Sequence, residues 1–328
     1  MKLIKLILIF FTALAVLGYG IWFAFALYYQ GFEPLKWVLI ALWGIFALFC
    51  LWGLFRAAGR ARSTLSFLIA LILSLGWWTF GVTPRLDRDW LPEVAYTATG
   101  DIVGNQVTLH NVRNFNWTTS EDYTRDWQAR SYDLDQLESV DLIASHWGID
   151  AIAHTIMSFG FADGQRVAFS VEIRKEEGES FSTIAGFFKQ YELAIIAADE
   201  NDVIRVRTNV RDPIEDVFLY PLKTTPERRK ALFLGYVNKA NRDVLKARFY
   251  NTITANCTTV IYSLIKEYRD KLPLDWRILA SGYLPDLLAE MDVLDWDKPY
   301  GDIRVRAAIT DKGQAIQEGA DYSQVIRR

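Results

Sequence analysis

One cysteine in this chain stands where a thiolate is favoured. Cys257 ends the run Tyr250-Asn-Thr-Ile-Thr-Ala-Asn256-Cys257, and Thr258-Thr259 then lead into a strongly helical stretch. A helix N-terminus carries partial positive charge and free N–H groups, and both stabilise a thiolate. Thiol chemistry also needs a base and a group to orient that base. The chain has only three histidines. His154 lies in an apolar run of strand character, with Glu172 on the next such run. Cys257, His154 and Glu172 are therefore the candidate nucleophile, base and orienting acid. A carboxylate beside an imidazole raises its basicity and fixes its tautomer. The imidazolium and the helix end then lower the thiol pKa together. Backbone N–H groups of Cys257 or Thr258 are the candidate oxyanion donors. Asn256, Thr258, Ser170 and Tyr250 complete the expected oxyanion and substrate-contact set.

Plainer readings compete for each residue. A single Cys is often just a small buried hydrophobe. A histidine in an apolar strand is commonly a core residue satisfied by a neighbour. Glu172 could simply pair with Arg174 or Arg207 on an exposed strand face. His146, in Ser-His-Trp-Gly, is the alternative base, and His110 reads as a surface residue. One candidate Cys and three scattered His lack any short metal-ligand spacing, so neither a metal nor another cofactor is expected.

The elements that must position these groups follow from local pattern. Ile152–Phe161 and Arg166–Arg174 are β-rich runs separated by Ala162-Asp163-Gly164-Gln165, a strong hairpin signal. Centring the pairing on that turn puts His154 opposite Glu172 or within one step, with Ser170 and Arg174 as possible neighbours. Further strands are expected at Glu93–Thr99, Gln106–His110, Val140–Ile143, Tyr191–Ala197, Val203–Arg207 and Val217–Leu222. Thr225-Pro226-Glu227 opens a helix running to about Asn241, with Thr as N-cap and Pro at the first helical position. Asn256 or Thr254 caps the next helix. Val260, Ile261, Leu264, Ile265 and Tyr268 share one face of it, and Leu272-Pro273 ends it.

Ahead of this lies a stretch of different composition. Roughly the first 83 residues are nearly all apolar. Leu3–Tyr29, Trp37–Phe55 and Leu65–Val82 are each long enough to span ~30 Å of hydrocarbon. Lys2, Lys5 and the loop Arg56-Ala-Ala-Gly-Arg60-Ala-Arg62 place the N-terminus in the cytoplasm by the positive-inside rule, so everything after about Thr83 lies outside. The first run is too long for a cleaved signal peptide and reads as a retained anchor. Cys50, the other cysteine, lies within the second span and is separated from Cys257 by compartment. The net charge of −3 and dispersed basic residues exclude a nucleic-acid surface. The expected organisation is a three-helix membrane anchor (1–83), a connector with short strands (84–113), an α+β domain with an antiparallel sheet (114–291), and a polar tail (292–328) adding little to the core.

Four segments occur in an order that resembles a known family. They are Ala153-His154-Thr-Ile-Met-Ser-Phe-Gly-Phe, Ser170-Val-Glu172-Ile-Arg174, Gly186-Phe-Phe-Lys-Gln-Tyr191-Glu192 and Tyr250 to Thr259. Together they are similar to Lnb-type N-terminal periplasmic domains, over roughly Asn114 to Leu288. That family looks related to permuted papain-like thiol enzymes of the NlpC/P60 superfamily, in which a His-bearing strand precedes an Asn-Cys helix start. The resemblance implies a permuted papain-like fold, with His154 as base and Cys257 as nucleophile. It carries Glu172 over less securely, since related families often use a second His there. Named members are lipoprotein transacylases, which move an acyl chain from the diacylglyceryl group of a lipoprotein to its N-terminal amine. The resemblance thus implies a thioester on Cys257, with membrane lipids and diacylated lipoproteins as partners. Two other readings remain: a cell-wall peptide hydrolase using the same triad, and a non-catalytic periplasmic binding or scaffold module.

Overall fold

The computed structural model describes residues 2–267, 273–317 and 319–328. The chain separates into two units. Met1–Arg85 with Phe181–Tyr191 form one, and Leu86–Ser180 with Glu192–Arg328 form the other.

Three apolar helices make up most of the first unit: α1 (Lys2–Gln30), α2 (Lys36–Phe55) and α3 (Arg60–Gly76), the last continuing as a wider turn over Trp77–Gly81. Each is long and apolar enough to cross a membrane. The helices meet around Val16, Cys50, Leu54 and Phe67. Tyr19 and Ser74 hydrogen-bond across α1 and α3 at 2.7 Å, and the Trp43 indole donates to the Gly20 carbonyl at 2.9 Å. Buried polar groups in such a bundle find partners on neighbouring helices, because lipid offers none. The short helix α4 (Thr183–Phe187) belongs to the same unit.

The second unit is built on an eight-stranded sheet. Its strands are β1 (Thr99–Val103), β2 (Gln106–Arg113), β5 (Trp127–Asp133), β6 (Leu137–His146), β7 (Ala153–Phe161), β8 (Arg166–Arg174), β9 (Glu192–Ala198) and β10 (Asp216–Pro221). The two-residue strands β3 (Asn116–Trp117) and β4 (Tyr123–Thr124) form a separate ribbon. The order is β1-β2-β9-β8-β7-β6-β10, with β5 also on β2. The expected antiparallel sheet is thus mixed: β2 and β9 run parallel through Val112↔Ala197 and Arg113↔Ala198. No hairpin joins those two strands; all of β5 to β8 lies between them in sequence. The fold is α+β with a mixed sheet.

Alternation along the strands divides the core into two layers. Met157, Phe159, Phe169, Val171 and Ile195 face one side. Ile156, Ala168, Ala194 and Ile196 face the other. The hairpin turn is as the sequence predicts. Gly164 sits at φ +88°, which a residue with a Cβ rarely adopts, and Asp163 accepts from the Gln165 N–H at 2.9 Å.

Two expected strands are not strands. In Glu93–Thr99, Pro92 starts a 3-10 turn over Pro92–Val94, and β1 begins only at Thr99. Val203–Arg207 is overridden by a helix start: Asp199 caps α5 (Glu200–Val203), and Glu200 and Asp202 fill its acidic first turn. A π-helical turn follows over Val206–Val210. The helix α6 (Pro226–Leu245) starts as expected, with the Thr225 hydroxyl accepting from Arg228 N, and runs four residues past Asn241. The helix α7 (Cys257–Lys266) lays Val260, Ile261 and Leu264 into the first core layer. Tyr268 and Leu272, expected on its face and at its end, lie outside the described residues.

The expected polar tail contributes to both layers. Leu294 and Ala307 are buried in one; Ile309, Tyr322 and Ile326 are buried in the other. Short helices α8 (Leu284–Glu290), α9 (Ile303–Ala307), α10 (Thr310–Gln314) and α11 (Tyr322–Val325) present them. Arg327 donates to Glu200 and Asp141, both buried, at 2.5 and 2.6 Å. A few apolar anchors placed by capped turns are diluted in polar sequence, so average composition hides them.

Candidate active site

The site begins at the first residue of α7. The Asn256 side chain accepts from Thr259 N at 2.9 Å, and the Thr259 hydroxyl accepts from Asn256 N at 2.8 Å. This reciprocal capping box fixes the helix start at Cys257. The Asn256 amide nitrogen donates to the Thr252 carbonyl at 2.7 Å, so both ends of that side chain are engaged in the cap. The Asn256 side chain, expected among the oxyanion and substrate contacts, is thus held in the helix cap, where it positions Cys257. The helix ladder itself begins with Val260 N to Asn256 O. The N–H groups of Cys257 and Thr258, in the first turn, have no partner within the helix.

The histidine comes from β7. The β7–β8 ladder runs through Gly160↔Arg166, Phe159↔Val167, Ser158↔Ala168, Met157↔Phe169 and ends at Ile156↔Ser170. Continued by two residues, this register sets His154 opposite Glu172. Nε2 of His154 lies 2.7 Å from the Ser170 hydroxyl and 3.2 Å from Glu172 Oε1, and the Ser170 hydroxyl donates to the same oxygen at 2.6 Å. Arg207 Nη2 donates to Glu172 Oε1 at 3.2 Å. Arg207 is itself buried, with Glu215 on its other side. His154, Ser170, Glu172 and Arg207 thus form one relay, with Ser170 and Arg207 buried and His154 and Glu172 half-buried. Glu172 pairs with Arg207, as the plainer reading proposed, but it is half-buried and Arg207 is buried, so the pair does not lie on an exposed strand face. Arg174 points elsewhere, donating to the carbonyls of Val94 and Ala95.

Helix and relay approach the sheet from opposite faces. Thr155, adjacent to His154, points its hydroxyl at the Thr258 hydroxyl, 3.3 Å away, so α7 covers the Thr155 face. His154, Ser170 and Glu172 alternate onto the other face. Where the β7–β8 ladder stops, Cys257 interacts with both the Thr155 main chain and the His154 ring. The Thr258 hydroxyl lies within hydrogen-bonding range of the sulfur, at 3.8 Å.

The electrostatics follow from this packing. Burial is the largest single influence on the Cys257 thiol and by itself would raise its pKa; the His154 charge together with hydrogen bonding to His154 and Thr155 outweighs it and brings the thiol down to about 6. Burial would lower the His154 pKa, but the charges of Glu172 and Cys257 lift it to about 9. Desolvation would raise the half-buried Glu172, yet His154, Arg207 and Ser170 hold it well below the usual carboxylate range. The thiolate–imidazolium form is therefore favoured between those two values.

Other expected residues separate into neighbours and bystanders. Tyr250 borders the site: burial first, and then the charges of Cys257 and Glu172, push its phenol up. His146 does not join it. On β6 it pairs with Ala153, meets Phe218 edge-on at 5.4 Å, and has Arg304, Asp150 and Asp216 as its charged neighbours. None of its contacts among the described residues is with Cys257. Among those residues no group of three or more His, Cys, Asp or Glu side chains is placed to hold a metal ion. Cys50 and Cys257 are both free thiols.

Two residues near the sulfur were not anticipated. Thr155 supplies a hydroxyl and a main-chain group, and its position next to His154 on a strand was a usable signal. Tyr236 of α6 is fully buried against Phe169, stacked at 4.9 Å, with burial and then the Cys257 charge raising its pKa. Its hydroxyl has no hydrogen-bond partner among the described residues. Only the helix packing brings it there.

Comparison with known proteins gives one match. Residues 123–282 fit the family model described as the Lnb N-terminal periplasmic domain. His154, Ser170, Glu172, Tyr250 and Asn256-Cys257-Thr258 all fall inside it. No curated protein and no solved structure matches the chain. With three membrane-length apolar helices ahead of it, the chain is a membrane-anchored protein with an extracytoplasmic domain, residues 123–282 of which match the Lnb N-terminal periplasmic domain family.

Proposed function

We propose that this protein is a cysteine-dependent acyltransferase, anchored in the cytoplasmic membrane with its N-terminus inside and its Cys257 domain outside. Lys2, Lys5, Arg56, Arg60 and Arg62 support that orientation through the positive-inside rule. The observation that carries the activity is a buried thiol lowered to about 6, at a capped helix start, beside an imidazole backed by Ser170, Glu172 and Arg207.

In this reading the Cys257 thiolate attacks an ester carbonyl of a diacylglyceryl group. The oxyanion is held by the N–H groups of Cys257 and Thr258. The imidazolium gives its proton to the departing glycerol oxygen as the C–O bond breaks, leaving a thioester. An amine then attacks the thioester carbonyl; His154 takes its proton, the C–S bond breaks, and the thiolate and imidazolium are restored. The products are an amide and a lyso-lipid, with no oxidant or reductant required. A diacylated lipoprotein supplies both ester and amine, and membrane lipid is the simpler acyl donor. A permuted papain-like ancestry is part of the same proposal and rests on the order His154 before Cys257.

An alkyl phosphonate ester that mimics the acyl group tests the chemistry. It is expected to label the wild type and not Cys257→Ser; labelling that survives the substitution removes Cys257 as nucleophile. Mass spectrometry of lipoproteins from cells with and without the protein tests the substrate. A lyso-form carrying an N-terminal acyl chain, present only with the protein, is the expected result. An unchanged acylation pattern counts against transacylation and favours the peptide-hydrolase reading.

A further inference from the structure

The first unit contains one segment that is not a membrane-length helix. Phe181–Tyr191, which connects β8 to β9, clusters with residues 1–85. Phe188 is its anchor. That ring is buried, stacked on Phe25 and on Tyr29 at 5.5 Å each, with Trp22 at 6.3 Å and Trp78 at 6.4 Å. The Gln30 amide donates to the carbonyls of Phe188 and Lys189 at 3.0 and 2.9 Å. Lys189 donates to the carbonyls of Trp78 and Val82 at 2.5 and 3.2 Å, and its ammonium lies 4.6 Å from the Trp78 ring centre.

These contacts fix the depth of the segment. Tyr29 and Gln30 are the last residues of α1, and Trp78 and Val82 lie at the end of the third span. This end of the bundle carries Trp22, Tyr28, Tyr29, Trp37, Trp77 and Trp78, the composition of an interfacial aromatic belt. A lysine bound to carbonyls at a helix end is likewise an interfacial arrangement.

The side of the segment away from Phe188 is apolar. Phe181, Ile184 and Phe187 are 50, 52 and 39 % exposed, at spacings of three across α4. Phe32, Leu35 and Phe80, at the end of the bundle where Gln30 and Trp78 bind this segment, are exposed as well. Apolar side chains in this position, continuous with the lipid-facing surface of three spans, match a helix lying in the headgroup layer.

We infer that Phe181–Lys189 is a membrane-interface element, with Phe181, Ile184 and Phe187 inserted among the headgroups and first acyl carbons of the bilayer. Its occupant is lipid, because the surface it extends is the one that faces lipid. The segment is continuous in chain with β8, which carries Ser170 and Glu172. Under the proposed acyl-transfer reading, it is the part of the chain between β8 and β9 that meets the acyl donor's phase. The lipid contact does not depend on that reading.

The test uses the full chain in vesicles of phosphatidylethanolamine and phosphatidylglycerol, in a Cys50→Ser, Cys257→Ser background. Ile184→Cys carries an environment-sensitive fluorophore; Ile72→Cys, 68 % exposed on the third span, is the lipid-facing reference. Emission from position 184 is expected to be blue-shifted, quenched by lipids brominated near the headgroup, and poorly quenched by aqueous iodide. Full iodide quenching with no effect of bromolipids, while position 72 responds to them, overturns the inference. The enzymatic arm uses Phe181→Ser/Ile184→Ser/Phe187→Ser with Cys257 intact. A raised KM for a vesicle-borne ester with unchanged turnover of a water-soluble thioester is expected. If the wild type turns over neither substrate, the acyl-transfer reading fails and the quenching result still stands or falls by itself. Equal loss on both substrates assigns the trio a structural role and overturns the delivery role.

Discussion

Replacing His154 by Gln separates the imidazole's electrostatic effect from everything else that acts on Cys257. The helix start, the capping box and the Thr155 contact all remain. What leaves is the imidazole's charge and hydrogen bond, the main opponents of burial in taking the thiol from its ordinary 9.0 to about 6. That difference corresponds to about 4 kcal/mol of preference for the thiolate. Without it, burial dominates and the thiol returns to about 9 or above. At pH 7 the thiolate fraction falls ~100-fold, from nearly all to about one part in a hundred. A more basic thiolate is a better nucleophile, though, and a Brønsted slope of ~0.4–0.5 over this range returns ~20-fold. The net loss in alkylation rate at pH 7 is then only about fivefold. A single-pH rate is therefore a poor readout, and the midpoint of the pH profile is the sensitive one. In a Cys50→Ser background, the rate of iodoacetamide alkylation against pH is expected to show a midpoint near 6 for the wild type and about three pH units higher for His154→Gln. A midpoint that moves by less than about one pH unit refutes the claim that His154 sets the state of this thiol.

Further outcomes follow from the same geometry. Turnover should trace a bell against pH, its acid limb near 6 from Cys257 and its alkaline limb near 9 from His154; a profile flat through 9 excludes the imidazolium as the proton donor. Glu172→Gln removes the charge that raises His154, so the alkaline limb should move to lower pH. Glu172 is an acid depressed on folding from 4.5, so it contributes stability above that value and loses it as pH falls through its folded pKa; the variant should lose part of this acid sensitivity in urea titrations at pH 7 and pH 4. Asn256→Ala should cost about 1 kcal/mol in denaturant, and Asn256→Asp should retain most of both stability and activity, as a cap and not an oxyanion donor requires. Arg327→Ala leaves Glu200 and Asp141 buried without their shared guanidinium and should cost about 3–5 kcal/mol; a loss under 1 kcal/mol would show that the tail is dispensable to the core.

Local chemistry made part of this protein legible in its sequence. Three apolar runs must be helices because lipid satisfies no backbone group, and their bounds in the structure lie within a few residues of the expected ones except at the start of the third. Asp163-Gly164 fixes a tight turn by its φ requirement, and the turn fixes the register that sets His154 opposite Glu172. Asn256 declares the start of α7 through a reciprocal cap spanning three residues. Each of these signals is settled within a few residues of chain. What required the tertiary structure depends on partners distant in sequence. Asp199 to Asp202 became a helix start, and the buried Asp202 carboxylate pairs with Arg113 on β2. The tail became core because Tyr322, Ile326 and Arg327 met a layer built from β7, β8 and β9. Most of all, sequence could set His154 and Glu172 on one face of a hairpin but not bring the thiol to them. Cys257 belongs to the helix on the opposite face, and its electrostatic coupling to His154 depends on how α7 packs on the sheet, which no local pattern encodes.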